Sequence, residues 1–196
     1  MEKSPAHRRE QILEQAEHLF LTQGIAQVTT RDIARAVGIS QPSLYAHFPT
    51  RDAIAVELCR RAFEALHARL LAATQRGGTL TERLERLSRE YIAFGLAHPP
   101  AYRVAFMLDL EKHGSAEKQV VVAAGVRAFG VLQALMAETR HPDCAMAAQS
   151  AWASMHGLVS LLLARQDFPW ADRNALIDLH VTGLCRAVLS GAEGGG

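Results

Sequence analysis

Val28-Thr-Thr-Arg-Asp-Ile-Ala-Arg-Ala-Val-Gly-Ile-Ser-Gln-Pro-Ser-Leu-Tyr-Ala-His-Phe-Pro-Thr-Arg51 is the stretch whose reading decides the fold. Ile33, Ala34 and Val37 recur at helical spacing and share one face. Thr29 or Thr30 can accept the orphan amide protons at the start of that helix, and Asp32 completes a shortened capping box whose charge suits the N-terminus. Gly38 stands where the helix must stop in a left-handed conformation. Ser40 then caps a second helix with Pro42 in its first turn, where a missing N–H costs little. Leu44 and Phe48, four apart, face inward and leave Gln41, Ser43, Tyr45 and His47 pointing outward. Thr50 caps a longer helix. Two short helices, a tight turn and a polar outer face describe a helix-turn-helix, whose second helix enters the DNA major groove. Such pairs also occur as ordinary surface helices. The local charge favours DNA, because no acidic residue lies between Ser40 and Arg51.

Working outward, the residues resemble a known family. Ile12-Leu13, Ala16, Leu19-Phe20, Gly24, Thr29-Thr30, Asp32-Ile33-Ala34, Gly38-Ile39-Ser40 and Leu44-Tyr45-Ala46-His47-Phe48 look like the N-terminal signature of the tetracycline-repressor (TetR) family. Gln41 to Tyr45 is close to the recognition helix of its founding members. Further on, Tyr91-Ile-Ala-Phe94, His98 to Met107 and Trp152-Ala-Ser-Met-His156-Gly157 resemble the TetR-type C-terminal domain marked by a Trp and a His-Gly pair.

Composition sets the frame. The chain has 196 residues, 49% of them apolar, and a net charge of +1, which by itself does not announce a nucleic-acid binder. Within residues 1–50, Lys3, Arg8, Arg9, Arg31 and Arg35 are balanced by Glu2, Glu10, Glu14, Glu17 and Asp32. The acids fall mostly on the first helix, while Arg31, Arg35 and Arg51 surround the recognition helix. No apolar run long enough for a bilayer is read, and the polar N-terminus lacks a signal-peptide core, so a cytoplasmic protein without a membrane partner is expected. Cys59, Cys144 and Cys185 are widely spaced and read as small hydrophobes, with a redox-sensing thiol as the alternative.

Helical periodicity runs through nearly the whole chain. The expectation is an all-α fold of about nine helices: a three-helix DNA-binding head (1–50), a larger helical bundle for ligand binding and dimerisation (51–190), and a disordered tail (191–196). Thr79 to Glu82 is a capping box, and Pro169-Trp170 is read as the start of the last helix. Gly157, inside a helix, is read as allowing another helix to approach closely.

Candidate DNA contacts are Thr30, Arg31, Gln41, Pro42, Ser43, Tyr45, His47 and Arg51. The planar fork of Arg31 can pair with guanine, and Gln41 with adenine; a phosphate contact is the alternative for both. Pro42 and Ser43 can touch a thymine methyl or a phosphate. The resemblance implies that Arg31 reaches a base and that Tyr45 and His47 grip the backbone, while Thr30 and Arg51 also look like phosphate contacts at helix starts. For the body, the resemblance implies an effector pocket. Its candidate lining is Phe94, Tyr102, Phe106, Met107, Phe129, Trp152, Met155 and His156, with plain core as the alternative for each.

No metal-ligand spacing, P-loop or GxSxG element is present in the sequence, so no metal, cofactor or enzymatic activity is expected. The resemblance implies a homodimer paired through the last two helices, with a palindromic double-stranded operator and a small hydrophobic effector as partners. The functional expectation is a ligand-responsive transcriptional regulator that acts as a repressor. A helical small-molecule-binding protein without DNA function and an all-α enzyme are the alternatives.

Overall fold

The structure is a computed structural model that describes residues 4–107, 115–139 and 141–190. Among the described residues it is all helical: α1 (Pro5–Gln23), α2 (Thr30–Val37), α3 (Gln41–Tyr45), α4 (Arg51–Gln75), α5 (Leu80–Ala97), α6 (Pro99–Met107), α7 (Ser115–Met136), α8 (Cys144–Ala164) and α9 (Arg173–Ser190). The tail at 191–196 lies outside the described residues.

The chain divides into two compact units, Met1–Phe63 with His98–Gly125, and Glu64–Ala97 with Val126–Gly196. The bounds fall inside α4 and α7, so each of these helices contributes to both units. In the first unit, α1 packs on α2 and α6, and α2 on α3. Ile12, Leu13, Ala16 and Phe20 of α1 meet a core that includes Val28, Ile33, Leu44, Phe48 and Ile54, all buried. Burying a side chain of this size stabilises by about 1.5–3 kcal/mol, so a handful of such residues holds the short α2 and α3 in place. Phe63, Phe106 and Tyr102 extend this core as a chain of aromatic contacts, with centroids 5.1 and 4.6 Å apart. In the second unit, α5 packs against both α8 and α9. Leu84, Leu87, Tyr91 and Ile92 lie buried with Ala151, Met155, Val159, Val181 and Leu184.

The helix ends show where the sequence reading holds and where it fails. The Thr79–Glu82 capping box forms, with the Thr79 amide donating to Glu82 Oε2 at 2.8 Å. The last helix begins at Arg173, not at Pro169-Trp170. The Trp170 indole instead donates to the Arg165 carbonyl at 2.7 Å, and Asp172 takes the capping role by accepting from the Ala175 amide at 2.9 Å. Helix α7 stops at Met136 because Glu138 and Thr139 turn back onto Leu135 and Met136 in tighter three-residue turns. An added Cβ at Gly157 would meet open space, so packing within this chain does not require glycine there. One segment, Lys118–Met136, does have the length and apolarity of a membrane span, contrary to the sequence reading. It buries Val121, Ala124, Ala128, Leu132 and Leu135 against the protein itself.

Candidate nucleic-acid interface

The motif at 28–51 is assembled by its caps. The Thr29 hydroxyl accepts from the Asp32 amide at 3.2 Å, and the Asp32 carboxylate accepts in return from the Thr29 amide at 3.0 Å and its hydroxyl at 2.6 Å. These bonds, the hydroxyl foremost, hold the Asp32 carboxyl below the usual range, so the acid nearest the motif is tied into a cap. Gly38 adopts φ +74°, and the Ile39 amide behind it closes the helix onto the Ala34 carbonyl at 2.9 Å. Ser40 accepts from the Ser43 amide at 3.3 Å and starts α3. Leu44, fully buried, plugs α3 into the core and turns its other residues outward.

On that outer side the hydroxyls of Thr30 and Tyr45 lie 3.1 Å apart, and the Gln41 amide donates to Thr30 Oγ1 at 3.5 Å. Three candidate contacts from α2 and α3 therefore form one linked polar group. The Tyr45 ring remains 48% exposed. Arg31, Pro42 and Ser43 are exposed beside them, and the Arg31 guanidinium has no hydrogen bond or close ion pair among the described residues, its charge acting only at a distance on the Asp32 carboxylate. His47 lies beyond the end of α3 and is half-buried. Its carbonyl accepts from Arg9 Nη1 at 3.0 Å, and the same guanidinium stacks 4.0 Å above the Phe48 ring. This Arg9 clamp went unread in the sequence because its partners lie 38 and 39 positions away. Arg51 is already engaged: Asp52 Oδ1 accepts from its Nε and Nη2 at 2.9 and 2.8 Å, and the Ile25 and Ala26 carbonyls accept from Nη1 at 3.3 and 3.4 Å.

Residues 12–58 match the family described as bacterial regulatory proteins, tetR family, and residues 84–184 match the tetracyclin repressor-like C-terminal domain. The chain belongs to the tetR family. Members of this family are DNA-binding transcriptional regulators. The nucleoid occlusion factor SlmA of Aliivibrio fischeri (strain MJ11) is 29% identical over 119 residues, which cover 58% of this chain and 61% of that protein. The HTH-type transcriptional repressor KstR2 of Mycolicibacterium smegmatis is 35% identical over 89 residues, covering 45% of this chain and 42% of that protein. The chain thus spans only about half of these curated relatives, and neither is an enzyme by its description. A tetR-family regulatory protein from Rhodococcus RHA1 shares the fold, with a TM-score of 0.78 at 17% identity over 95% of this chain and 98% of that one.

The residues predicted to line the tetR-type effector pocket are split between the two units. Tyr102 and Phe106 belong to the first, and the Met107 side chain lies outside the described residues. Phe94, Phe129, Trp152, Met155 and His156 belong to the second. There Trp152 makes edge contacts with Tyr91 and Phe129, with centroids 4.9 and 5.4 Å apart. The His156 ring has a hydroxyl at each nitrogen, Tyr91 at 3.5 Å from Nδ1 and Ser160 at 3.2 Å from Nε2. Burial lowers its pKa and favours the neutral imidazole. Phe94 and Met155 are buried core. Ser88, one turn before Tyr91 on α5, is fully buried and its hydroxyl has no partner. Tyr91, Ser88 and Ser160 were not among the sequence candidates. No local pattern marks a hydroxyl that becomes important only by burial.

Proposed function

We propose that this chain is a homodimeric, ligand-responsive transcriptional repressor that leaves a palindromic operator when a small hydrophobic effector binds. The linked Thr30–Gln41–Tyr45 group beside the unpaired Arg31 carries the DNA reading. It supplies a guanidinium and an amide for base edges, hydroxyls for phosphates, and no unpaired carboxylate in the recognition helix. Thr30, Tyr45, His47 and Ser43 act on the backbone, while Arg31, Gln41 and Pro42 meet the bases. Arg51 holds the start of α4 in place and can offer phosphate contact only by exchanging its internal bonds.

Dimerisation through α8 and α9 is supported by the apolar side chains these helices leave in solvent: Met146 at 62%, Leu161 at 52% and Leu179 at 73% exposure. Two-fold pairing would set two heads about one DNA turn apart, on the order of 34–36 Å. Leu161→Glu with Leu179→Glu should give a monomer in light scattering, and an unchanged dimer would place the interface elsewhere. The effector reading rests on the second unit, where Trp152, Phe129 and Tyr91 give apolar walls and His156 with Ser88 gives polar handles. An effector acts by binding one state of the dimer better than the other. The domain division we propose is functional, with 1–50 as DNA head and 51–190 as sensor and dimerisation body in the cytoplasm.

Selection of bound duplexes from a random pool tests the reading. Enrichment of a two-fold symmetric site supports it, whereas enrichment of no sequence excludes it. The match to SlmA favours a second reading, nucleoid occlusion, which predicts division across the nucleoid in a deletion strain.

A further inference from the structure

We infer that the second unit carries an anion site, separate from the DNA face and from the Trp152–His156 cluster, that takes a compact polyphosphate ligand. A concavity of about 420 Å³ opens where the end of α4 passes α5, lined by Arg69, Ala72, Ala73, Arg76, Arg86, Arg89 and Glu90. Its volume lies in the range of small-ligand sites, about 300–1,000 Å³. Four guanidiniums and one carboxylate share that lining.

The four guanidiniums are compensated unequally. Arg86 donates from Nε to the Ala73 carbonyl at 3.2 Å, and from Nη2 to the carbonyls of Arg76 and Gly77 at 2.6 and 2.8 Å. These neutral acceptors satisfy the end of α4 and fix the guanidinium, whose charge is offset only by the nearby Glu82 carboxylate. Glu82, nearby, is committed to the Thr79 cap. Arg69 sits 4.0 Å from Glu90 and 5.8 Å from the Phe94 centroid, and Arg89 pairs with Asp178 on α9. Arg76, on the turn after α4, has no side-chain partner among the described residues. Four guanidiniums thus outnumber the carboxylates beside them, and Arg76, at liberty to close next to the fixed Arg86, supplies the donors an anion would meet.

The ligand class follows from the donor type. Guanidinium donors suit phosphate oxygens; Arg76 can offer its whole fork, while Arg86, with Nε and Nη2 bonded to carbonyls, is oriented to add Nη1. Glu90 opposes a singly charged ligand, so the site selects an anion with several charges packed closely, as in a di- or triphosphate. The small side chains of Ala72 and Ala73 leave room for it.

Inorganic pyrophosphate and tripolyphosphate, titrated calorimetrically into the full chain at constant ionic strength, test the site. We expect saturable binding of one ligand per chain, tighter for tripolyphosphate. Arg76→Ala should weaken it about tenfold or more, the usual effect of one charge-assisted bond, and Arg76→Glu should abolish it. Because Arg76 supports no other side chain, both variants should keep the parent Tm. Arg31→Ala, on the DNA face, should leave this binding unchanged. Absent saturation at millimolar ligand, binding indifferent to both Arg76 variants, or binding lost with Arg31→Ala would each overturn the assignment.

Discussion

The α2–α3 region and the Trp152–His156 region are built in opposite ways. In the first, local rules place nearly everything: a cap box at Thr29, a left-handed stop at Gly38, a cap at Ser40, and buried plugs at Ile33 for α2 and Leu44 for α3. The chemistry-bearing side chains are what these rules leave outside. In the second, the polar groups arrive from different helices, Tyr91, fully buried, from α5 and His156 with Ser160, half-buried, from α8, and aromatic packing holds them together. The polar face of α2–α3 is thus written in a short stretch of sequence, while the Trp152–His156 cluster is written in tertiary packing.

If α3 depends on its one buried side chain, Leu44→Ala should damage the motif most. The loss should be about 2–5 kcal/mol, as for other large-to-small changes in a core, read as a lowered urea midpoint together with lost DNA binding. A cost under about 1 kcal/mol would show that the caps alone hold α3. Breaking the cap instead, Thr29→Ala should cost about 1 kcal/mol and leave the second unit untouched, as amide hydrogen exchange can separate. Protection lost equally in both units would remove the contrast.

The smallest expected effect concerns pH. Burial lowers the pKa values of His156 and His180 in the folded state. The folded chain then binds fewer protons than the unfolded one, so stability is present above the unfolded histidine pKa of about 6.5 and is lost as pH falls below it. Tm should drop between pH 7 and pH 5, and His156→Gln should shrink that drop, leaving the part due to His180. An identical drop in the variant would show that His156 stays solvated and is no part of a dry site.

How much was legible follows the same contrast. The order of helices, the Thr29 and Thr79 caps, the Gly38 stop and the outward side of α3 could be read because each depends on residues within four positions. The start of α9 was misread because Pro169-Trp170 looks like a helix opening, yet the indole prefers the Arg165 carbonyl and Asp172 is the better cap. The carbonyls of Ile25 and Ala26, which accept from Arg51, could not be read locally because they lie more than twenty positions back. The aromatic residues of the body could be named but not sorted, since Tyr102 and Trp152 look alike in sequence and fall into different units. The four arginines around the α4–α5 concavity were invisible as a group, because only the crossing of two helices gathers them.

The most direct test of the DNA face is fluorescence anisotropy on the selected duplex, comparing the parent chain with Arg31→Ala and Tyr45→Ala. Both variants should retain the parent Tm and lose roughly 1–3 kcal/mol of specific binding. Arg31→Ala should relax the preference at one base pair of each half-site, while Tyr45→Ala should weaken all sequences alike. Unchanged affinity in both folded variants would contradict the assignment of residues 28–51 as the surface that reads DNA.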